Sequence, residues 1–280
     1  MKKAMCKATS HKCPATARTN GKGASPEMPK VEEGAPEALR LNKAIASRGF
    51  CSRRQADTLI FAGKVMVDGV TVTDPSLHAG PDAEIIIDGH RLSGGGICRY
   101  LMMNKAVRTV CTANDPEGRP TVLDALPPDF RGERLYPVGR LDYFSEGLLI
   151  LTNDGELAHR LMHPRFHLSK RYEVLVRGKV TQEALLSMQR GMILAEGEKL
   201  APVDVRSHPA PNGMTRLSMV LHQGVNRQIR RMCRDLNLTV LRLQRVAQGP
   251  LSLGDLASGC VRALSPAETM ALRKAVALPC

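Results

Sequence analysis

The feature that most constrains this chain is one uninterrupted stretch, residues 139–155, which reads GRLDYFSEGLLILTNDG. It begins as a polar loop in which Arg140 stands two residues before the carboxylate of Asp142. Four apolar residues follow, a run of the length of one buried strand. Asn153 and Glu156 then form the pattern that starts a helix. A charged loop leading into a buried strand holds a reactive side chain on a rigid support, although an exposed ion pair before a core strand would give the same pattern.

The stretch contains two candidate carboxylates, Asp142 and Asp154, and composition does not choose between them. Asp154 lies between Asn153 and Gly155 at the predicted helix start, so a structural capping role explains it. Asp142 lies in the loop before the strand, where no capping role explains it. Asp142 is therefore the candidate for chemistry.

The net charge of the chain is +13 and its isoelectric point is about 9.7. This charge indicates a polyanionic partner, nucleic acid first and an acidic membrane surface second. Aromatic residues make up only 3% and tryptophan is absent, so stacking of many single-stranded bases is not expected to dominate recognition. A length of 280 residues favours two domains, and no apolar run approaches a membrane span. We expect a soluble protein that binds nucleic acid.

Residues 1–38 are basic and have no periodic apolar pattern, which predicts a disordered tail. The tail lacks the apolar segment of a secretory signal, and an organelle transit peptide is the alternative. The chain has eight cysteines and no Cys-x-x-Cys pair, and Cys6 and Cys13 lack the spacing of a zinc site. Scattered cysteines without a secretory signal are typical of reduced thiols in the cytoplasm.

Residues 39–92 have the pattern of a compact module. Ser52 and Gln55 form a capping box for a helix. Asp68 and Gly69 separate two short β-branched runs, a strong signal for a tight hairpin. A further strand and turn are predicted before the module ends.

Arg53 and Arg54 break a local rule in this module, because they occupy the first turn of a helix, where the dipole favours acids. Contact with phosphates explains them, and simple exposure at small cost is the alternative. The segments LNKA, CSRRQAD and GKVMVDG within residues 41–69 resemble the S-four-type RNA-binding domain, named from a ribosomal protein. The resemblance implies binding of structured RNA, with Lys43 and Lys64 as further contacts.

Residues 226–236 read NRQIRRMCRDL and predict an amphipathic helix. Four arginines fall on one arc and apolar residues on the other; the arginines are Arg227, Arg230, Arg231 and Arg234. Unpaired like charges on one helix repel each other. A polyanionic partner explains this face better than solvation alone, so these arginines are candidate RNA contacts.

Residues 93–96 read SGGG, a linker to a second domain that starts near Ile97. Residues 100–105 predict a strand that ends at Lys105, another candidate RNA contact. Residues 112–137 are rich in Pro, Asp and Gly and predict irregular structure with one short helical turn near Val122. Strands are also predicted at 170–176, around Val203 and Val205, and from Leu217 to Leu221, with a helix capped by Thr181.

Three segments of this second domain resemble the motifs of RsuA-type pseudouridine synthases: GRLD, SEGLL and LTNDG within residues 139–155, KRY at 170–172, and NRQIRRMC at 226–233. The resemblance implies an α/β (α+β) protein in two domains. The S-four-type module spans 39–92, and the catalytic domain spans 97–275 with a mixed, largely antiparallel sheet and flanking helices. At residues 104–108 the family has Asn-Lys-Pro-x-Gly where this chain has Asn-Lys-Ala-Val-Arg.

The resemblance implies isomerisation of a uridine in RNA to pseudouridine. The glycosidic N–C bond breaks, the uracil turns, and a C–C bond forms to the same ribose. The matching positions make Asp142 the catalytic carboxylate, Arg230 the cation that keeps it ionised in a desolvated pocket, and Tyr172 the surface that packs on the uracil. Arg140 matches the arginine that fills the space left by the flipped nucleotide. No metal or organic cofactor is implied.

The arginine segment and the module together indicate the branch of the family that modifies large-subunit ribosomal RNA, RluB- or RluF-like. Modification of small-subunit RNA is the alternative. A non-catalytic ribosome-assembly factor is another, which the altered residues 106–108 keep open. A DNA-binding regulator lacks a recognition-helix dimer pattern. We expect a cytoplasmic monomer whose partner is ribosomal RNA or an assembly particle, without a membrane.

Overall fold

The computed structural model describes residues 38–94, 96–166 and 168–279. The predicted basic tail, residues 1–38, lies outside the described residues except for Ala38. No helix in the described ranges is both long and apolar enough to cross a bilayer.

The N-terminal module packs two short helices on a small antiparallel sheet. Its elements are β1 (Leu39–Arg40), α1 (Leu41–Ser47), α2 (Arg53–Phe61), β2 (Val65–Val67), β3 (Val70–Val72), β4 (His78–Ala79), β5 (Ile85–Ile87) and β6 (His90–Arg91). The strand order is β3-β2-β5-β6, with β1 pairing β4 beside it. The predicted capping box of Ser52 and Gln55 is confirmed. The predicted hairpin is confirmed too, since Asp68 and Gly69 take the positive φ angles of 49° and 80° that such a turn requires.

The larger part of the chain is built on one mixed sheet. Its elements are β7 (Tyr100–Lys105), β8 (Tyr136–Val138), β9 (Glu146–Thr152), α3 (Gly155–Met162), β10 (Lys170–Arg177), α4 (Gln182–Arg190), β11 (Asp204–Pro209), β12 (Thr215–Leu221), α5 (Gln228–Asp235), β13 (Thr239–Gln248), β14 (Leu251–Ser252), β15 (Val261–Ala263) and α6 (Pro266–Ala275). The strand order is β11-β12-β10-β13-β9-β7-β15, with β8 added to β9 and β14 to β13. Strands β9 and β13 run parallel, and the other described pairs in this sheet are antiparallel. The predicted mixed, largely antiparallel sheet with flanking helices is confirmed.

Gly147 allows the parallel contact between β9 and β13. It lies opposite Arg245, with a φ of 107° that L side chains rarely adopt. A Cβ atom at this position would lie 2.2 Å from the Arg245 carbonyl oxygen. Only glycine therefore lets the two central strands approach at the point where the loop containing Asp142 ends.

The capping role predicted for Asp154 is confirmed, because Asp154 is the capping residue of α3. The start pattern of Asn153 and Glu156 was wrong, since Asn153 is not the cap. The Asp154 carboxylate accepts hydrogen bonds from the backbone N–H groups of Glu156 and Leu157 at 3.1 and 2.9 Å. Asn153 instead accepts from the backbone N–H of Arg99 at 2.7 Å. Asp154 also holds distant elements, since it accepts from the Tyr100 hydroxyl at 2.9 Å and faces Arg273 of α6 at 3.3 Å.

The prediction for residues 112–137 was partly wrong. Strand β8 forms at its end, because Tyr136, Pro137 and Val138 pair with β9. Hydrogen-bonded turns occupy residues 122–125, and the short helical turn of this segment lies later, as a 3-10 helix at Pro128–Phe130. A strand of three residues beside a proline has too little periodicity to be seen in the sequence.

Asp154→Asn is expected to lower the free energy of unfolding by about 2–3 kcal/mol, more than the roughly 1 kcal/mol of an isolated cap. The larger loss follows because Arg273 and Tyr100 also lose a charged acceptor. Urea unfolding measures the difference, with Asp204→Asn at an exposed position as the matched control. A loss no larger than that of the control would show that these contacts do not stabilise the start of α3.

Candidate active site

A short loop at residues 139–145 connects β8 to β9 and carries Asp142. Lys105 lies beneath this loop with none of its surface exposed. Its ammonium donates to the backbone carbonyls of Ala106, Asp142 and Ser145 at 2.9, 3.2 and 2.8 Å. Burial lowers the pKa of Lys105, while the nearby groups Cys111, Asp142 and Glu146 oppose that shift. The loop is thus fixed from below by a buried cation.

The placement of Lys105 contradicts its predicted role as an RNA contact. An RNA contact requires an ammonium that the RNA can reach, and Lys105 is fully buried. Its ammonium is instead fully occupied by carbonyl groups inside the protein. A buried charge needs such partners because it loses its hydration.

Lys105→Met keeps most of the side-chain volume and removes the three donors. We expect the single-turnover rate of the reaction to fall by about 100-fold, because small displacements of a reacting group have effects of this size. The dissociation constant for RNA should change little. The variant Lys179→Met, at an exposed position, is the control. An unchanged rate would mean that the loop keeps its position without the ammonium.

Residues 106–108 also support the loop, although they depart from the family pattern. The backbone N–H of Arg108 donates to the Tyr143 carbonyl at 2.6 Å. Arg108 occupies the position of the family's glycine and takes a left-handed φ of 61°. The Leu141 N–H donates to the Cys111 thiol at 3.3 Å. The altered residues therefore still close onto the loop that carries Asp142.

Asp142 faces two arginines at the start of α5. Its Oδ2 lies 3.7 Å from Arg230 Nε and 4.0 Å from Arg227 Nη1. Arg230 also donates through Nη2 to the Phe144 carbonyl at 2.8 Å and to the Ser145 hydroxyl at 3.2 Å. Burial lowers the pKa of Arg230, and the charge of Asp142 opposes that shift. Arg230 of α5 is therefore hydrogen-bonded to the loop that carries the carboxylate it faces.

Arg227 does not lie on the predicted helical arc. It precedes α5 as the capping residue and has a left-handed φ of 49°. The apolar arc agrees with the prediction, since Ile229, Met232 and Cys233 are buried. The left-handed turn places the Arg227 side chain near Asp142 instead of along the helix.

A cleft of about 850 Å3 opens beside Asp142. This volume is in the range of roughly 300–1,000 Å3 typical of small-molecule sites, enough for a nucleotide. The loop at 139–145, strands β10 and β13, and the start of α5 line the cleft. The lining residues include Arg140, Asp142, Tyr172, Arg227 and Arg230, all of them candidates from the sequence.

The prediction that no acids neutralise the arginine face of α5 was wrong for Arg231 and Arg234. Arg231 contacts Glu198 and Glu196 at 2.6 and 3.1 Å, and Arg234 contacts Glu196 at 2.6 Å. Hydrogen bonds, the one from Arg234 first, lower the pKa of Glu196 to about 2. The two acids come from the segment after α4, which is distant in the sequence. These two arginines are neutralised within the protein.

The candidate RNA contacts of the N-terminal module differ in whether an acidic residue already pairs with them. Arg53 and Arg54 are exposed in the first turn of α2, where phosphates can reach them. Lys64 lies 3.4 Å from Asp88. Lys43 lies 3.3 Å from Glu156 of α3, so it joins the module to the larger part of the chain.

Sequence reasoning missed two cations and two buried amides that line the cleft. They are Lys170, Arg245, Gln228 and Gln248. Arg245 gave a signal that could have been used, since it shares a strand face with Leu243 two residues earlier. A cation on the apolar face of a strand is unusual enough to indicate a site.

Comparisons with protein families agree with the two parts of the chain. Residues 99–235 match the model for RNA pseudouridylate synthase. Residues 39–85 match the model for the S4 domain. The two matches together extend from β1 of the module to the end of α5.

Individual proteins are similar over most of the chain. An uncharacterized RNA pseudouridine synthase of Aquifex aeolicus (strain VF5) is 39% identical over 242 residues, covering 86% of this chain and 96% of that protein. Ribosomal large subunit pseudouridine synthase B of Shigella flexneri is 40% identical over 248 residues, covering 86% of this chain and 84% of that protein. A crystal structure of a pseudouridylate synthase is 28% identical with a TM-score of 0.60, covering 84% of this chain and 100% of that chain. The similarity therefore includes both the module and the large sheet.

Proposed function

The chain belongs to the RNA pseudouridylate synthase family, and from this premise we propose that it converts specific uridines of large-subunit ribosomal RNA to pseudouridine. It is an RNA pseudouridine synthase with an RNA-binding S4 domain. The large-subunit target is supported by the relatives in Shigella flexneri and Pseudomonas aeruginosa, at 40% and 37% identity, which are named large subunit synthases. The net charge of +13 suits an RNA substrate.

The observation that carries the proposal is the cleft, where a carboxylate, its cation and an aromatic ring meet. Asp142, Arg230 and Tyr172 line the same cavity of about 850 Å3. The Asp142 carboxylate is held between a loop fixed by Lys105 and the first turn of α5. A carboxylate fixed at the edge of a cleft of nucleotide size can act on a ribose or a base that leaves its stack.

In the proposed reaction, the target nucleotide enters the cleft and Arg140 occupies the space that it leaves. Asp142 acts on the sugar or the uracil as nucleophile or base while the N1–C1′ bond breaks. Arg230 faces the carboxylate with a positive charge and holds the loop in place. Tyr172 provides the flat surface on which the detached uracil turns before C5 bonds to C1′.

The reaction is an isomerisation without redox change or hydrolysis, so we propose that it needs neither metal nor organic cofactor. We further propose that the protein acts as a monomer in the cytoplasm, where ribosomal RNA is found. The reduced state of the described cysteines is compatible with that compartment.

Pseudouridine mapping tests the target. Ribosomal RNA from cells with and without the gene is compared, and purified protein is then added to large- and small-subunit transcripts. One or a few sites should disappear from large-subunit RNA and return with the added protein. Loss of sites from small-subunit RNA alone would contradict the large-subunit target. Unchanged RNA in both subunits would favour an assembly factor without catalysis.

Arg53 and Arg54 are proposed to bind the RNA backbone through the S4 domain. Replacing both with alanine should weaken RNA binding and lower the salt slope by about one to two units, because each phosphate contact adds just under one. The rate at saturating RNA should change little. Binding titrations at several salt concentrations measure the slope, with exposed Lys179→Ala as the control. An unchanged slope would indicate that the two side chains are only solvated.

A further inference from the structure

The floor of the cleft contains two cations, Lys170 and Arg245, for which the active-site assignments give no role. Arg245 is only 3% exposed, and its Nε donates to the Leu148 carbonyl at 2.7 Å. Its Nη2 is buried and has no hydrogen-bond acceptor among the described residues. The Lys170 ammonium donates to the Leu168 carbonyl at 3.3 Å. No ion pair joins either cation to a carboxylate in the described ranges.

The two cations lie on the strand face that carries Tyr172. Tyr172 pairs with Arg245 across β10 and β13, and Lys170 pairs with Gln248. Directly paired residues of antiparallel strands project to the same face about 5 Å apart. Lys170 and Tyr172 are two residues apart on one strand, so they also share that face. The cations therefore flank the ring that is proposed to hold the uracil.

This arrangement is unfavourable for the protein alone. Burial lowers the pKa of Lys170, and the charge of Arg245 lowers it further. Two like charges that are removed from water without an acid partner oppose folding. Groups of this kind are typical of functional sites, where a ligand supplies the missing charge. The floor of the cleft is thus prepared for an anion.

The RNA backbone is one source of that anion, but its phosphates meet other cations first. Arg140 and Arg227 line the cleft and are exposed. Arg245 is nearly inaccessible and lies against the sheet. A flat base can reach this floor when it packs on Tyr172, whereas the charged backbone has to continue into solvent on both sides of the target. The depth of Arg245 therefore favours the base over the phosphate.

We propose that Lys170 and Arg245 stabilise the negative charge that the uracil carries after its bond to the ribose breaks. This inference rests on the proposed function of the cleft. When the N1–C1′ bond breaks, its electron pair stays with the uracil, and the charge spreads over N1, O2 and O4. Fixed cations directed at such oxygens stabilise the transition state because they need no reorganisation.

The same cations serve both orientations of the base. A half-turn of the uracil about its N3–C6 axis exchanges N1 with C5 and O2 with O4. A carbonyl oxygen therefore faces the cations before and after the turn. C5 then bonds to C1′, and the C5 proton is transferred to N1, so atoms and electrons balance without a further reactant.

Lys170→Gln tests the inference in single-turnover assays on an RNA whose modified uridine has been mapped. Its rate should fall by about 100-fold relative to the wild type, with RNA affinity within twofold. Lys170→Arg should retain most of the rate. Arg171→Gln, an exposed neighbour on the opposite face of β10, is the control and should be close to the wild type.

A substrate with 5-fluorouridine at the target separates charge stabilisation from structural effects in the step that breaks the N1–C1′ bond. Its C5 carries fluorine and no proton, so pseudouridine cannot form from this RNA. The assay therefore follows the loss of intact 5-fluorouridine, measured by mass spectrometry of the digested RNA. Fluorine withdraws electrons from the departing uracil and makes it a better leaving group. Cleavage of its N1–C1′ bond therefore depends less on cations. The loss caused by Lys170→Gln should be about tenfold smaller on this RNA. Equal losses on both RNAs would overturn the inference. A loss of RNA affinity together with a lower salt slope would also overturn the inference, because it would identify a phosphate contact. An inactive wild-type protein would instead refute the proposed function, and the inference with it.

Discussion

Asp142→Asn is expected to abolish pseudouridine formation while RNA affinity stays within a few-fold of the wild type. The change keeps the shape of the side chain and removes the charge that faces Arg230 at 3.7 Å. Affinity should persist because contacts to phosphates, and not to the reacting carboxylate, dominate binding. Tritium release or mass spectrometry on ribosomal RNA measures the product, and titration measures the affinity.

Two comparisons make the Asp142 result specific. Asp154→Asn removes the other carboxylate of the same stretch and should cost stability without removing activity. Arg230→Ala should destabilise the Asp142→Asn protein less than the wild type, because the ion pair is then already broken. An active Asp142→Asn enzyme would remove the basis for every catalytic role proposed here.

Gly147→Ala is expected to prevent stable folding or to lower the free energy of unfolding by more than about 4 kcal/mol. The new methyl group would lie 2.2 Å from the Arg245 carbonyl oxygen, which is backbone and cannot move aside as a side chain could. The φ of 107° adds strain for any L residue. Expression yield and urea unfolding measure the loss.

Gly139→Ala is the matched control for this effect. Gly139 lies in the loop that precedes β9 and has a φ of 77°, but a Cβ there would meet no atom within 4 Å. Its substitution should cost only the left-handed backbone strain, about 1–2 kcal/mol. Similar losses of stability at both glycines would show that backbone conformation, and not the close approach of β9 and β13, explains why glycine is needed at position 147.

The parts of the fold that local chemistry determines could be predicted from the sequence. The capping box at Ser52 and the hairpin turn at Asp68 and Gly69 depend on residues within four positions of each other. The apolar run that became β9 is buried on both sides, as its composition indicates. The mixed, largely antiparallel character of the large sheet came from family resemblance, and the order of its strands was not predicted, since periodicity contains no information about strand neighbours.

Contacts between distant segments could not be predicted in this way. The acidic partners of the α5 arginines could not be identified from the helix sequence, because Glu196 and Glu198 lie outside the helix. Lys105 seemed exposed because only the folded loop brings three carbonyls to its ammonium. A charged residue does not specify its partner in the sequence, so the pairing of charges is decided by the tertiary structure.

The ion pair between Lys43 and Glu156 limits what Lys43 can add to the RNA binding proposed for the module. A phosphate that approaches Lys43 competes with a carboxylate that already lies 3.3 Å from its ammonium. The contribution of Lys43 to affinity is then the difference between two similar attractions, smaller than its charge suggests.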